Sequence, residues 1–266
     1  MKRTPAASLS FPSFSGLGGT KNRTLSRLAG ELDVSARMQI VRLCTLIAAM
    51  GLTMSACGGA PVYVAAPIDA RVVEASTGQP IEGAVVVANW QLVIGSLDGP
   101  RDRGQLEVKE AVTDRNGQFH IDGFRKLNPL MYELRNEDPK ILIFKSDYGV
   151  KKIVNNYPGA GTETPGMRRS SPVNGKVVEL VRLRNEEERQ SQYLLLSVEM
   201  KQAIEDCEWK KMPQTILAVD REAARLASTN PRAVGWLPTI KSIDGLGCGS
   251  ATDFFVAYRE KQEQPK

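Results

Sequence analysis

The 266-residue chain has a single histidine, His120. A catalytic zinc centre usually takes two or three nitrogen or sulfur ligands and keeps a position open, so one histidine cannot build it. A serine hydrolase would have only this residue as the base beside its nucleophile, and no G-x-S-x-G elbow occurs anywhere. The four cysteines include no C-x-x-C pair. Asp114–Gly117 reads D-R-N-G but lacks the further carboxylates and closing glutamate of a calcium loop. Aromatic residues are 6% of the chain, which leaves a stacking platform little to work with. No apolar run reaches the roughly 20 residues of a membrane-crossing helix.

The longest apolar stretch, from Ile40 to Met54, is interrupted by Arg42, and about a dozen residues follow that arginine. That length suits the h-region of a signal peptide, with Arg37 and Arg42 as its basic flank and Ser55-Ala56 as small residues at a cleavage site. Residues 1–37 are polar, rich in Ser, Gly and Thr, and without apolar periodicity, so they have no core to build. Met38 opens a compact signal, and the expectation is that translation starts there, with 38–56 as signal and 1–56 as leader. The leader carries seven Lys/Arg and two acids, which leaves 28 bases and 28 acids in residues 57–266. The mature chain is neutral, and the basic pI no longer argues for a nucleic-acid partner.

Met54-Ser55-Ala56-Cys57 resembles the lipobox of bacterial lipoproteins, with methionine where leucine is commoner. The resemblance implies a diacylglycerol on the Cys57 sulfur and acylation of its amine. More than one chain is what stable anchoring takes. Gly58 rather than aspartate after the cysteine implies the outer membrane of a Gram-negative envelope, facing the periplasm.

Residues 57–66 read as a Gly/Ala/Pro tether. Strand signals follow: Ile68–Val73 alternates, Gly83–Trp90 is rich in β-branched residues, and Leu106–Val112 alternates again. Asn116-Gly117 between alternating runs predicts a hairpin. Lys140–Lys145, Gly149–Val154 and Lys176–Leu183 are three further strands. About seven short strands predict an antiparallel sandwich within a mainly β, α+β chain.

A-R-V-V-E-A-S-T-G-Q-P-I-E-G-A-V-V-V-A, then A-V-T-D-R-N-G-Q-F-H-I-D-G-F, resembles the carboxypeptidase regulatory-like domain, a transthyretin-like β-sandwich. Thr77, Gly78, Pro80, Ile81, Gly83, Ala84, Thr113, Asp114, Gly117 and Phe119 carry the match, which covers residues 67–184. These are turn and core residues, so they specify fold and not activity. The chain departs from the pattern by a longer loop at Gln91–Gly104 and a polar loop at Asn155–Gly175, in which Arg168-Arg169 reads as a solvated pair.

From 185 to 266 the period becomes helical. Leu196, Met200, Ile204 and Cys207 make one apolar face behind the Glu186–Glu188 run, whose acids suit a helix N-terminus. Pro213 opens a second helix with Ile216, Val219, Ala223 and Leu226 on one face, and Asn230-Pro231 stops it. Residues 235–250 read as loop, and Ser250 or Thr252 caps a last helix through Phe254, Phe255 and Tyr258. With Cys44 in the leader and Cys57 acylated, Cys207 and Cys248 remain as a pair for a disulfide in an oxidising compartment, with a redox or metal site as the alternative.

The resulting expectation is a non-catalytic, lipid-anchored binding module for an envelope protein or glycan, with no cofactor and no metal. His120 is expected as a half-exposed strand residue. Two alternatives stay open: carbohydrate binding through Trp90, Tyr148 and Tyr157, and an enzyme with a carboxylate-based hydrolytic site.

Overall fold

Val85–Ile94 runs V-V-V-A-N-W-Q-L-V-I, and all but its last residue are buried. An alternating strand buries one face, whereas an unbroken apolar run fits a strand covered on both. In the computed structural model this strand is β3, and both its faces are covered. Residues 39, 41–43, 61–130, 132–135, 139–155, 168–227, 229, 231–235 and 237–263 are described. The chain forms two units, Met1–Cys57 and Gly58–Lys266. The described residues of the first are helical.

The second unit is β-rich α+β. Its strands are β1 (Val62–Ala65), β2 (Ile68–Glu74), β3, β4 (Arg101–Val112), β5 (Gln118–Ile121), β6 (Phe124–Leu127), β7 (Glu133–Leu134), β8 (Lys140–Phe144), β9 (Lys151–Ile153), β10 (Arg168–Arg169) and β11 (Lys176–Leu180). The helices are α1 (Glu186–Glu205), a 3-10 turn (Glu208–Lys211), α2 (Pro213–Leu226), α3 (Pro231–Val234), α4 (Ile240–Ile243) and α5 (Ala251–Glu263).

A five-stranded sheet has the order β4-β3-β8-β9, with β7 also on β3. Two three-stranded sheets, β10-β1-β6 and β11-β2-β5, complete the β structure. Because side chains alternate along a strand, β3 feeds two cores. Val86, Ala88, Trp90 and Leu92 join Ile68, Val72, Phe119 and Leu180 of the smaller sheets. Val85 and Val87 join Leu142, Phe144, Leu196, Met200, Ile216 and Trp209 of the helical layer.

Carboxylates lock the helices onto the sheet. Glu110 of β4 accepts from the backbone N–H of Gln214 at 2.9 Å and of Thr215 at 2.6 Å, the first turn of α2. Glu199 of α1 pairs with Lys140 of β8 at 3.1 Å and Lys152 of β9 at 2.8 Å. Glu222 of α2, 2% exposed, accepts from the Ser146 hydroxyl at 2.6 Å, from the Tyr193 hydroxyl, and from Arg225. Burial pushes the Glu222 carboxyl up, but these donors outweigh it and hold it below the usual carboxylate range. Cys207 follows α1 in a left-handed conformation at φ 65°, and its sulfur is bonded to Cys248, with Cα atoms 5.4 Å apart. The bond pins the 244–250 segment to the end of α1.

Several expectations are corrected. Asn116-Gly117 makes no hairpin: β5 pairs with β2, not β4, so the turn hands the chain from one sheet to another. The turn fixes only the local reversal of the chain. The Asp114 carboxylate accepts from the N–H of Asn116 at 2.9 Å and of Gln118 at 2.8 Å, curling the backbone on itself. The Gln91–Gly104 stretch is mostly strand, since β3 runs to Ile94 and β4 starts at Arg101, with irregular register between Trp90 and Val93 absorbing the extra length. Residues 62–65, read as tether, form β1. Pairing is not antiparallel throughout, because β1–β10 and β2–β11 are parallel. Arg169 is buried and donates to the Arg135 carbonyl at 2.7 Å. The 235–250 loop holds α4, capped by Thr239. Of the two candidates for the last cap, Ser250 serves, and Asp244 caps the same helix as well.

A seam of turn residues joins β2, β3 and β4. The buried Thr113 hydroxyl donates to the Ile81 carbonyl at 2.6 Å and accepts from the Ala84 N–H at 2.8 Å. Gly117 has φ +73°, and a Cβ there would sit 2.3 Å from the Val72 carbonyl oxygen. Gly175 has nearly the same φ, +72°, with nothing within 4 Å of such a Cβ. Chemical denaturation separates the two effects. Gly175→Ala should cost about 1–2 kcal/mol, the left-handed strain alone. Gly117→Ala should cost more than about 3 kcal/mol, because backbone must also move. Equal costs would contradict the close approach.

Candidate ligand-binding cleft

The outer face of the β11-β2-β5 sheet is polar because its strands alternate. Ile68-Asp69-Ala70-Arg71 turns Asp69 and Arg71 outward, and Gln118-Phe119-His120-Ile121 turns out Gln118 and His120. Register then places Asp69 opposite His120 and Arg71 opposite Gln118. Parallel pairing brings Val177 of β11 beside Arg71. Over this face lies an open cleft of about 510 Å³, walled further by Val112, Asp114 and Lys176. Its size falls within the ~300–1,000 Å³ of small-ligand sites.

His120 is held at both ring nitrogens, Nδ1 at 2.6 Å from Asp69 Oδ1 and Nε2 at 3.1 Å from Asp122 Oδ1. Both contacts are satisfied at once by the imidazolium, which donates from each nitrogen. The hydrogen bond to Asp69, then that to Asp122, raises its pKa above the ordinary 6.5. Held at both nitrogens, the ring is fixed in place between two carboxylates, which favour its protonated form.

The acids of the cleft are largely engaged. Asp69 faces His120, and Asp114 is spent on the backbone of its own turn. Arg71 donates through Nε to the Asn116 carbonyl at 2.9 Å. Among the described residues neither Arg71 nor Lys176 has an ion-pair partner. The groups left for a ligand are therefore two cations, the Gln118 amide and apolar patches at Val112 and Val177, the last 59% exposed.

The other residues singled out from sequence lie elsewhere. Trp90 is not solvent-facing: it is 1% exposed and meets Phe124 edge to face at 4.8 Å. The cause is that β3 is covered on both faces. Tyr148 is buried, with the Arg182 guanidinium over its ring at 5.0 Å and its hydroxyl donating to Glu74 at 3.0 Å. Cys57 and Tyr157 lie outside the described residues. Cys207 and Cys248 are bonded in the helical layer, away from the cleft. Among the described residues no group of three His, Cys, Asp or Glu side chains is arranged to hold a metal. No motif in the sequence links Asp69, Arg71, Gln118 and Lys176. Strand alternation marks the first three as outward, but nothing in it says that β2, β5 and β11 are neighbours.

Because His120 is the only histidine, its imidazole resonance can be followed by NMR without ambiguity. Its midpoint should lie above 6.5 and fall toward that value in Asp69→Asn. Since the folded pKa is the higher one, the contacts stabilise the fold fully below about 6.5, and the contribution fades as pH rises through the folded value. A midpoint at or below 6.5 in the unaltered protein would contradict the two contacts.

No family model matches the chain, and no curated protein matches it. Among solved structures it is similar to 3-chlorocatechol 1,2-dioxygenase from Rhodococcus opacus 1CP, at 15% identity and a TM-score of 0.25, over 47% of this chain and 62% of that one. It is also similar to a 9R-lipoxygenase from Cyanothece PCC8801, at 12% identity and a TM-score of 0.21, over 64% of this chain and 29% of that one. The chain thus spans less than two thirds of either protein, and likenesses this slight carry no argument about fold or activity.

Proposed function

We propose that the protein is a non-catalytic binding module of a Gram-negative cell envelope. In this reading it is anchored by lipid at Cys57, belongs to the outer membrane and faces the periplasm. Its cleft takes an acidic group of an envelope protein or glycan. The observation that carries the binding role is the charge arrangement on the sheet face: Asp69 and Asp114 are engaged within the chain, while Arg71 and Lys176 are not ion-paired among the described residues. A paired cation gains little from a ligand, whereas an unpaired one gains a charge-assisted hydrogen bond. The anchor rests on the lipobox-like Met54–Cys57 alone.

The same reading takes the β structure as a transthyretin-like sandwich of the carboxypeptidase regulatory-like kind. Its support is that the residues of the sequence motif, Ile81, Ala84, Thr113 and Gly117, converge on one hydrogen-bonded seam. Sugar stacking is the weaker alternative, because Trp90 and Tyr148 are buried. A carboxylate-based hydrolase is weaker too, since Glu222, the most buried acid described, is engaged by Tyr193, Ser146 and Arg225.

The test is titration of the purified protein with acidic peptides and anionic glycans, beside Arg71→Glu/Lys176→Glu. A ligand that binds the unaltered protein should lose at least tenfold in affinity in the double variant, and its binding should weaken with salt. Binding indifferent to both changes, or hydrolysis of any member of the panel, would overturn the reading.

A further inference from the structure

Three of the most exposed apolar side chains, Leu97, Leu127 and Leu130, at 107%, 74% and 67% exposure, belong to one end of the molecule. Leu127 ends β6, where it pairs with Val62 of β1. The next residue, Asn128, donates its backbone N–H to the Pro61 carbonyl at 2.8 Å. Leu130 rides on the turn that follows. The Asn128 side chain closes this turn by donating to the Tyr132 carbonyl at 2.6 Å and accepting from its N–H at 3.2 Å. That turn leads into β7, where Glu133 pairs with Val93 and Leu134 with Leu92, so it projects past the same end of β3 as the 95–100 loop that carries Leu97. Two of the acids at this end are paired, Asp98 with Arg101 at 3.0 Å and Asp102 with Arg135, while the exposed Glu133 on β7 has no ion pair among the described residues.

Exposed leucines scattered over a surface need no explanation. Leu127 lies opposite Val62, beside Pro61, with Leu130 and Leu97 on turns past the same end of β3, and Pro61 is four residues from Cys57. Even fully extended, four residues reach about 14 Å, well under half the roughly 33 Å that the ten residues of β3 span. If Cys57 carries lipid, Pro61 cannot leave the headgroup region by more than that reach, and the surface beside it is held close to the bilayer. We infer that Leu97, Leu127 and Leu130 form a membrane-contacting tip that inserts into the phospholipid interface and orients the folded unit. The inference rests on the lipid-anchor reading. It turns the anchor from a loose leash into one point of a fixed seat, with the opposite end of β3 and the Asp114–Gly117 turn aimed away from the membrane.

The experiment uses the full chain in the membranes of expressing cells. A photo-crosslinking side chain is placed in turn at positions 97, 127 and 130, and at Arg115. Arg115 is 92% exposed and lies in the turn after Val112, which pairs with Val85 at the other end of β3. Mass spectrometry reads phospholipid adducts and, in the same sample, the Cys57 peptide. Phospholipid adducts at all three leucine positions, at least tenfold above position 115, together with a lipid-modified Cys57, would support the tip. A modified Cys57 with adducts to protein only, or with equal labelling at 115, would overturn the tip and leave the anchor standing. An unmodified Cys57 would overturn both.

Discussion

Everything in the folded unit depends on β3 being covered on both faces. Val85 and Val87 point into the helical layer while Val86, Ala88 and Trp90 point into the smaller sheets, so one backbone supplies the floor of two cores. A strand in that position has no solvent face for a polar residue. Gln91, the polar residue after Trp90, is buried and donates to the Gln202 side chain of α1 at 2.8 Å. The helices therefore belong to the same core as the sheet, and the carboxylates Glu110, Glu199 and Glu222 reach across the boundary between layers. Buried carboxylates contribute little net stability over an apolar packing, but they fix which partners meet.

The layer order also decides where a ligand can be met. Helices cover one face of the five-stranded sheet and the smaller sheets cover the other. The outer face of β11-β2-β5 is left as an open, polar surface that carries the cleft. Strand pairing matters for the proposed role, since a pattern of Arg71, Lys176 and Gln118 held on paired strands needs little ordering when a partner arrives. His120, pinned between Asp69 and Asp122, is part of that fixed pattern.

Local order is legible in the sequence, and long-range pairing is not. The amphipathic spacing of Leu196, Met200 and Ile204, and of Ile216, Val219 and Ala223, lies within helices that bury those residues. The lone histidine on an alternating strand is exposed, as its alternation implies. Asn116-Gly117 predicts a hairpin that does not form, because a turn-forming dipeptide fixes the local chain reversal, not which strand the next segment joins. Trp90 could have been placed from the absence of alternation in V-V-V-A-N-W, the one local sign that β3 is covered twice. The cleft was illegible for a different reason: it is assembled from β2, β5 and β11, and Lys176 lies more than a hundred residues from Asp69. Pairing at that separation leaves no periodic trace in either segment.

Native-state hydrogen exchange tests the central claim most directly. If β3 is the shared floor of both cores, its amides and those buried in α1 and α2 should exchange only through one global unfolding event, with the same free energy and the same dependence on denaturant. Separate opening of α1 and α2, at a clearly lower free energy and with β3 still protected, would mean that the helices are an attachment to the sheet and not part of its core.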